Sequence, residues 1–277
     1  MVAALTKDRL NIHQVTLMEC TFRESIECLA RHGITETAVW RAKLDEVGLP
    51  DALSILNDNG VSVASLCAGG FTADIAAADP DPVLDDNRRW LEEAAALGAR
   101  SLVTITGGLR DGERDLAAAR ERAVAGLDRL VPHARAAGVK LALEPLHPMV
   151  CGYRSVISTV AEALDVLDML DADDVLGVAV DSYAVWWEAD LQGQIRRAGP
   201  RLLNLHVSDW LRETKSVRFD RGMPGDGVID NRSIRSWAEA AGYRGRVEVE
   251  IFCETYWWQR DPDEVVATVL ARMEAHL

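Results

Sequence analysis

No stretch of this chain approaches the roughly 18 consecutive apolar residues that a bilayer-spanning helix needs. Residues 1–10 have no basic start followed by an apolar core, so no secretory signal is read there. Paired cysteines are missing too. The five cysteines, Cys20, Cys28, Cys67, Cys151 and Cys253, are odd in number, scattered and without CxxC spacing. They read as reduced thiols of a cytoplasmic protein. Excess positive charge is absent: the formal net charge is −14, which argues against gripping the phosphate backbone of nucleic acid. No low-complexity segment or linker interrupts the chain. No glycine-rich phosphate turn follows the first apolar run, where Met18-Glu19-Cys20 stand instead.

What is present is alternation. The 277 residues, 48% of them apolar, suit one large α/β barrel or two small domains. Strand-length apolar runs at 11–17, 35–40, 61–66, 101–106, 139–144, 175–181, 202–206 and 246–252 alternate with amphipathic stretches of helix length. Thr21-Phe22-Arg23-Glu24 and Thr159-Val160-Ala161-Glu162 are capping boxes. Asp261-Pro262-Asp263-Glu264 opens the last helix with proline at its favoured first position. Eight βα units without a composition break predict an α/β fold, a (β/α)8 TIM barrel, as a single domain over 1–277. An open doubly wound sheet is the alternative.

Four of these strands end in the same way. The run Val139-Lys140-Leu141-Ala142-Leu143 meets Glu144, Val178-Ala179-Val180 meets Asp181, Asn204-Leu205 meets His206, and Val247-Glu248-Val249 meets Glu250. A buried unpaired carboxylate is very costly, so each needs a partner. In a parallel barrel the carboxyl ends of the strands meet at one face, where active sites sit. Three carboxylates and an imidazole from consecutive strands 5 to 8 suit a divalent ion: Mn²⁺, Mg²⁺, Co²⁺ or Zn²⁺. Side chains alternate along a strand, so Ala142 and Ala179 leave room beneath the ligands. Asn204 and Glu248 are candidates for support from behind.

The segments Glu144-Pro145-Leu146-His147-Pro148-Met149, Asp181-Ser182-Tyr183-Ala184-Val185-Trp186-Trp187, His206-Val207-Ser208-Asp209-Trp210, Asp220-Arg221-Gly222-Met223-Pro224-Gly225-Asp226-Gly227-Val228-Ile229-Asp230 and Glu248-Val249-Glu250-Ile251-Phe252 carry a resemblance. They resemble the sugar phosphate isomerase/epimerase family, the xylose-isomerase-like barrels. In its ketose 3-epimerases the positions matching Glu144, Asp181, His206 and Glu250 hold a divalent ion, often Mn²⁺, and the two glutamates move protons on opposite faces of the sugar. The resemblance therefore implies a metal-dependent keto-sugar isomerase or epimerase that removes a proton beside a carbonyl through an enediolate. The chemistry agrees, because such deprotonation needs a metal at the oxygens and carboxylates on both faces. One position departs from the pattern: many relatives carry His where Ala184 stands. His147 is then a candidate to replace it, with a turn cap before Pro148 as its other reading.

The rest of the expected site is wall and lid. The segment 208–227 reads as a long, mobile loop over the catalytic face. Arg221 is either a clamp on a substrate oxygen or the partner of Asp220 or Asp226, and Asp226 is expected to hold the loop's turn. Trp186, Trp187, Trp257 and Trp258 follow catalytic-face strands, but adjacent tryptophans cannot both face inward; one of each pair is packing or an oligomer contact. Trp40, with Arg41, ends strand 2 and is a candidate for the opposite wall. No basic phosphate cradle is evident, so the expected partner is an unphosphorylated small carbohydrate, with neither nucleic acid nor membrane, and with assembly as a homo-oligomer or beside a partner subunit. Three other readings remain: a lyase eliminating from 3-oxo-glycosides or inososes, a non-catalytic sugar-binding subunit, and a nuclease of the endonuclease IV type. The last needs more histidines at strand ends.

Overall fold

The computed structural model describes residues 4–75 and 80–277, so the first three residues of the stretch read for a signal lie outside it. Eight parallel strands form the centre: β1 Leu10–Ile12, β2 Glu36–Trp40, β3 Ser62–Gly70, β4 Ser101–Ile105, β5 Lys140–Leu143, β6 Leu176–Asp181, β7 Leu202–Val207 and β8 Val247–Val249. Their ladder order is β1-β8-β7-β6-β5-β4-β3-β2. Each crossover returns to a neighbouring parallel strand, as in a (β/α)8 barrel. Among the described residues no backbone ladder joins β1 to β2. Side chains stitch that seam instead. Thr37 Oγ1 donates to the Ile12 carbonyl at 2.7 Å, and Gln14 Oε1 accepts from the Trp40 amide at 3.1 Å.

Alternation decides what each face holds. Leu141, Val178, Leu205 and Val247 point outward into the main core beneath the helices. Cys67, Val103, Ala142 and Ala179 form a small apolar layer inside the barrel. Parallel register then sets Asp181 and Glu248 beside His206 on the two strands that flank it. No helix of the described residues is long and apolar enough to cross a membrane.

The outer helices include Phe22–Arg31, Leu116–Ala137, Val160–Leu170 and Pro262–His276. Both threonine capping boxes form, and Asp261 accepts the Asp263 and Glu264 amides with Pro262 at the first position. Asn87 ties its helix, Pro82–Ala96, to the end of β3 by exchanging two hydrogen bonds with the Gly70 backbone, at 2.7 and 2.8 Å.

Several boundaries differ from the sequence pattern, the run of β3 on to Gly70 among them. The first strand ends at Ile12, because His13 Nδ1 accepts the Val15 amide at 3.0 Å and starts a 3₁₀ turn, Gln14–Leu17. The apolar Val15 and Leu17 mimic a continuing strand. A helix at Arg41–Val47 follows β2 without a break. It gives no amphipathic signal because its Lys43 is buried, the ammonium donating to the Cys20 carbonyl. The last ladder stops at Val249, although the Glu250 amide still donates to the Val207 carbonyl at 3.0 Å.

Candidate functional site

The carboxyl ends of the strands open into a cleft of about 550 Å³, counting its open mouth. Glu144, Ala184, Arg221 and Glu250 line it, walled by Trp40, Tyr183 and Phe252. Glu144 follows β5, Asp181 ends β6, His206 lies in β7 and Glu250 follows β8, and all four are buried.

The imidazole of His206 is the hub. Its Nδ1 lies 3.0 Å from Glu144 Oε1 and 3.9 Å from Glu250 Oε2. Its Nε2 lies 3.2 Å from Glu248 Oε1, a close charge contact whose angle is poor for a hydrogen bond. Glu248 is held from behind by Asn11, whose Nδ2 donates to Oε2 at 2.7 Å. Burial alone lowers the pKa of His206, but Glu248, Glu144 and Glu250 outweigh it and raise it to about 10. Burial raises Glu248 to about 7. It also raises Asp181 and Glu250, against the pull of Arg221.

Glu144, His206 and Glu250 each offer a ligand atom within 4.8 Å of the others. Asp181 joins them through Arg221, whose Nη1 is 2.9 Å from both Asp181 Oδ2 and Glu250 Oε2. The contact with Asp181 is off the N–H axis, so Oδ2 is a buried oxygen without a hydrogen bond. Asp181 Oδ1 is spent on the Tyr183 amide at 3.0 Å. A buried carboxylate oxygen left unbonded, beside three more carboxylates with only the Arg221 guanidinium and the His206 imidazolium to face them, is a donor set short of positive charge. A divalent ion with oxygen and imidazole ligands fits that deficit.

Arg221 is therefore not the partner of Asp220 or Asp226. Asp220 accepts the Lys215 amide at 2.6 Å. Asp226 accepts the Met223 amide at 2.9 Å and binds Arg272, which holds the turn. The guanidinium of Arg221 also lies over the rings of Tyr183 and Phe252, at 4.5 and 4.9 Å. Burial disfavours its charge, yet Asp181 and Glu250 keep its pKa above the ordinary guanidinium value.

His147 forms the turn cap and also stands at the cleft. It lines the cleft, and its Nδ1 caps the turn by accepting the Met149 amide at 3.2 Å. Desolvation lowers its pKa. The neutral ring then carries its proton on Nε2, which makes it a donor rather than a base. Its ring stacks on Trp210 at 4.8 Å.

Trp40 lines the cleft, edge-on to Phe252. Arg41 instead packs over the Trp90 ring at 3.5 Å. Trp186 does not line the cleft: it is 36% exposed and packs beside Trp210. Trp187 donates its Nε1 to the Ala184 carbonyl at 2.7 Å, and Trp258 donates to the Ile251 carbonyl at 2.9 Å. Asn204 supports nothing at the site. It lies two residues down β7, about 6.6 Å below His206, and accepts from Ser101 Oγ at 2.9 Å.

Three residues at the site carry no strand-end signal that the sequence pattern exposes. His13 tops β1 with Nε2 3.6 Å from Glu250 Oε1. It stands at a strand end like the others, but the false continuation through Leu17 hides that end. Arg154 and Arg218 line the cleft from loops, where no periodicity marks them.

The expected lid is pinned at both ends. Asp209–Trp210 pairs antiparallel with Arg221–Gly222, and the Arg221 amide donates to Phe252 O at 2.9 Å. Asp209 accepts the Gly225 and Ile229 amides, each at 2.9 Å. Arg212, Glu213 and Lys215 are exposed between those ends. In hydrogen exchange the Arg221 amide is expected to be protected with or without sugar, and the Arg212 and Glu213 amides to exchange fast. Uniform fast exchange across 208–227 would restore the picture of a free lid.

Solved structures with the same architecture include protein SMc04130 of Sinorhizobium meliloti 1021, 45% identical, with a TM-score of 0.93 over 98% of this chain and 99% of that one. The IolI protein with a bound zinc atom is 19% identical, with a TM-score of 0.78 over 95% of each chain. The D-allulose 3-epimerase of Methylomonas sp. in complex with D-allulose is 19% identical, with a TM-score of 0.74 over 100% of this chain and 99% of that one. At such identities the last two speak to the fold alone. None of the curated proteins matches the chain. The model of the xylose isomerase-like TIM barrel matches residues 22–276, and the chain belongs to that family.

Proposed function

We propose that the chain is a divalent-metal-dependent isomerase or epimerase of keto-sugars, acting by proton abstraction next to a carbonyl. One observation carries the reading. Two carboxylates and an imidazole, Glu144, Glu250 and His206, converge to within 4.8 Å at the carboxyl face of the barrel, and the two carboxylates line its cleft. Glu144, Asp181, His206 and Glu250 would hold the ion, with Mn²⁺ the first candidate and Mg²⁺, Co²⁺ or Zn²⁺ the others. When bound, the ion supplies positive charge that stabilises an enediolate.

The side chains supply the rest. Glu144 and Glu250 come from opposite edges of the arc made by β5 to β8, so one takes a proton on one face of the sugar and the other returns it on the opposite face. Arg221, fixed by Asp181 and Glu250, donates to a substrate oxygen. Glu248 and Asn11 hold the ring of His206 in orientation. Trp40, Tyr183 and Phe252 exclude water from the reacting carbons.

His147 favours a second reading. A proton on Nε2 suits a donor to a departing oxygen, as in β-elimination from a 3-oxo-glycoside. Product analysis with a 3-oxo-glycoside against a free ketose separates lyase from epimerase.

Metal content tests the centre itself. Protein loaded with Mn²⁺ and freed of excess is expected to retain about one ion per chain. The His206→Ala, Glu250→Ala double variant is expected to retain none. An unchanged stoichiometry in that variant sinks the site.

A further inference from the structure

The positive charges of this protein are mostly spoken for. Arg100 pairs with Glu36, Arg122 with Glu113 and Arg135 with Asp174. That is expected where 44 acidic residues face 30 Lys and Arg. Of the arginines outside such pairs, Arg154 and Arg218 line the same cleft as Glu144 and Glu250. Arg154 follows the 3₁₀ turn Pro148–Val150, its amide bonded to Val150 O at 2.9 Å. Arg218 lies in the loop before Arg221, its guanidinium 4.6 Å over the Phe219 ring. Both are half-buried. Neither guanidinium has a carboxylate within 4.0 Å or a hydrogen bond to another described residue; Glu254 attracts Arg218 only from farther away. Burial and then the charge of Arg154 push the pKa of Arg218 below its ordinary value, so the two cations feel each other.

Two partly desolvated like charges without a counter-ion are unfavourable unless something anionic completes them. We infer that Arg154 and Arg218 form an anion subsite in this cleft, so that the substrate is an anionic keto-sugar, carrying a carboxylate or a phosphate, rather than a neutral ketose. That the anion belongs to a keto-sugar rests on the proposed function. The pair itself rests on the cleft that both side chains line and on their lack of a carboxylate partner. Valines at 150 and 217 line the cleft beside the arginines, which lowers the local dielectric and strengthens the contact.

Calorimetric titration of the Mn²⁺-loaded full chain with D-fructose, D-fructose 6-phosphate and D-fructuronate tests this. At least one anion is expected to bind about tenfold or more tightly than fructose, as hydrogen bonds to charged groups do. A preference for fructuronate assigns a carboxylate, and one for the phosphate ester assigns a phosphate. In the Arg154→Met, Arg218→Met double variant the ratio of anion to fructose affinity is expected to fall to about one; if that variant does not fold, each single variant is expected to lose part of the ratio. Equal affinities for all three ligands in the wild type overturn the inference. So does the absence of binding by either anion, or a preference that survives the arginine substitutions. A protein that holds Mn²⁺ without preferring anions keeps the proposed function and loses the subsite. One that prefers anions but holds no metal does the reverse.

Discussion

Glu144→Gln and Glu250→Gln are each expected to lose about 10²–10⁴-fold in turnover of a ketose that the wild type converts, the range that a positioned proton-transfer group contributes. Gln keeps an oxygen for coordination but cannot accept a proton at neutral pH. The loss is therefore expected in kcat more than in substrate affinity. The two variants are also expected to differ in D₂O. One still exchanges the substrate α-hydrogen for deuterium without completing the reaction, because only the second proton step is gone. The other does not exchange at all. Both carboxylates lie next to His206, so metal content must be measured beside the rates. Two Gln variants that remain fully active with the ion bound end the two-carboxylate mechanism. Neither nearby histidine is then a ready base, since His147 spends Nδ1 on the Met149 amide and His13 spends Nδ1 on the Val15 amide.

Arg221→Met is expected to destabilise the metal-free protein by about 3–5 kcal/mol, the usual cost of removing one partner from a buried charge pair. Arg221 is only 8% exposed, and its Nη1 lies 2.9 Å from Asp181 and from Glu250. Without it those carboxylates keep only the His206 ring as a nearby positive charge. Excess Mn²⁺ is expected to recover much of the loss, because an ion that binds only the folded state stabilises it by mass action. Denaturant unfolding of wild type and variant, each in EDTA and in Mn²⁺, measures the four free energies. A variant as stable as the wild type in EDTA refutes the role given to Arg221. A deficit that Mn²⁺ leaves untouched refutes the shared site.

Much of this arrangement is legible in the sequence, for a physical reason. Glu144, Asp181, His206 and Glu250 each end an apolar run, and a period of two fixes which face of the strand each one takes. Parallel strands then bring those ends to one face of the barrel. What escaped the sequence depends on contacts rather than on period. His13 was masked because Val15 and Leu17 continue the alternation through a turn that the histidine itself caps. Arg154 and Arg218 sit in loops, where direction is set by packing alone. Trp186 has the right neighbours in sequence and the wrong side of the turn in space. Length alone suggests a lid, but the Asp209 carboxylate, a detail invisible to length, collects the amides that fasten it.

The barrel closes between its first and last strands, where Asn11 meets Glu248, 237 positions away. Contacts of that sequence separation form late in folding, because a long loop must be closed before they bring any return. A chain that has reached only β6 owns Glu144 and Asp181 but lacks His206 and Glu250, and lacks the Asn11–Glu248 brace behind the imidazole. A chain that ends at β6 thus holds only part of the proposed donor set, whose last member in sequence is Glu250. On the proposed function, metal capture would be a late event, available to a finished ring and withheld from a truncated one.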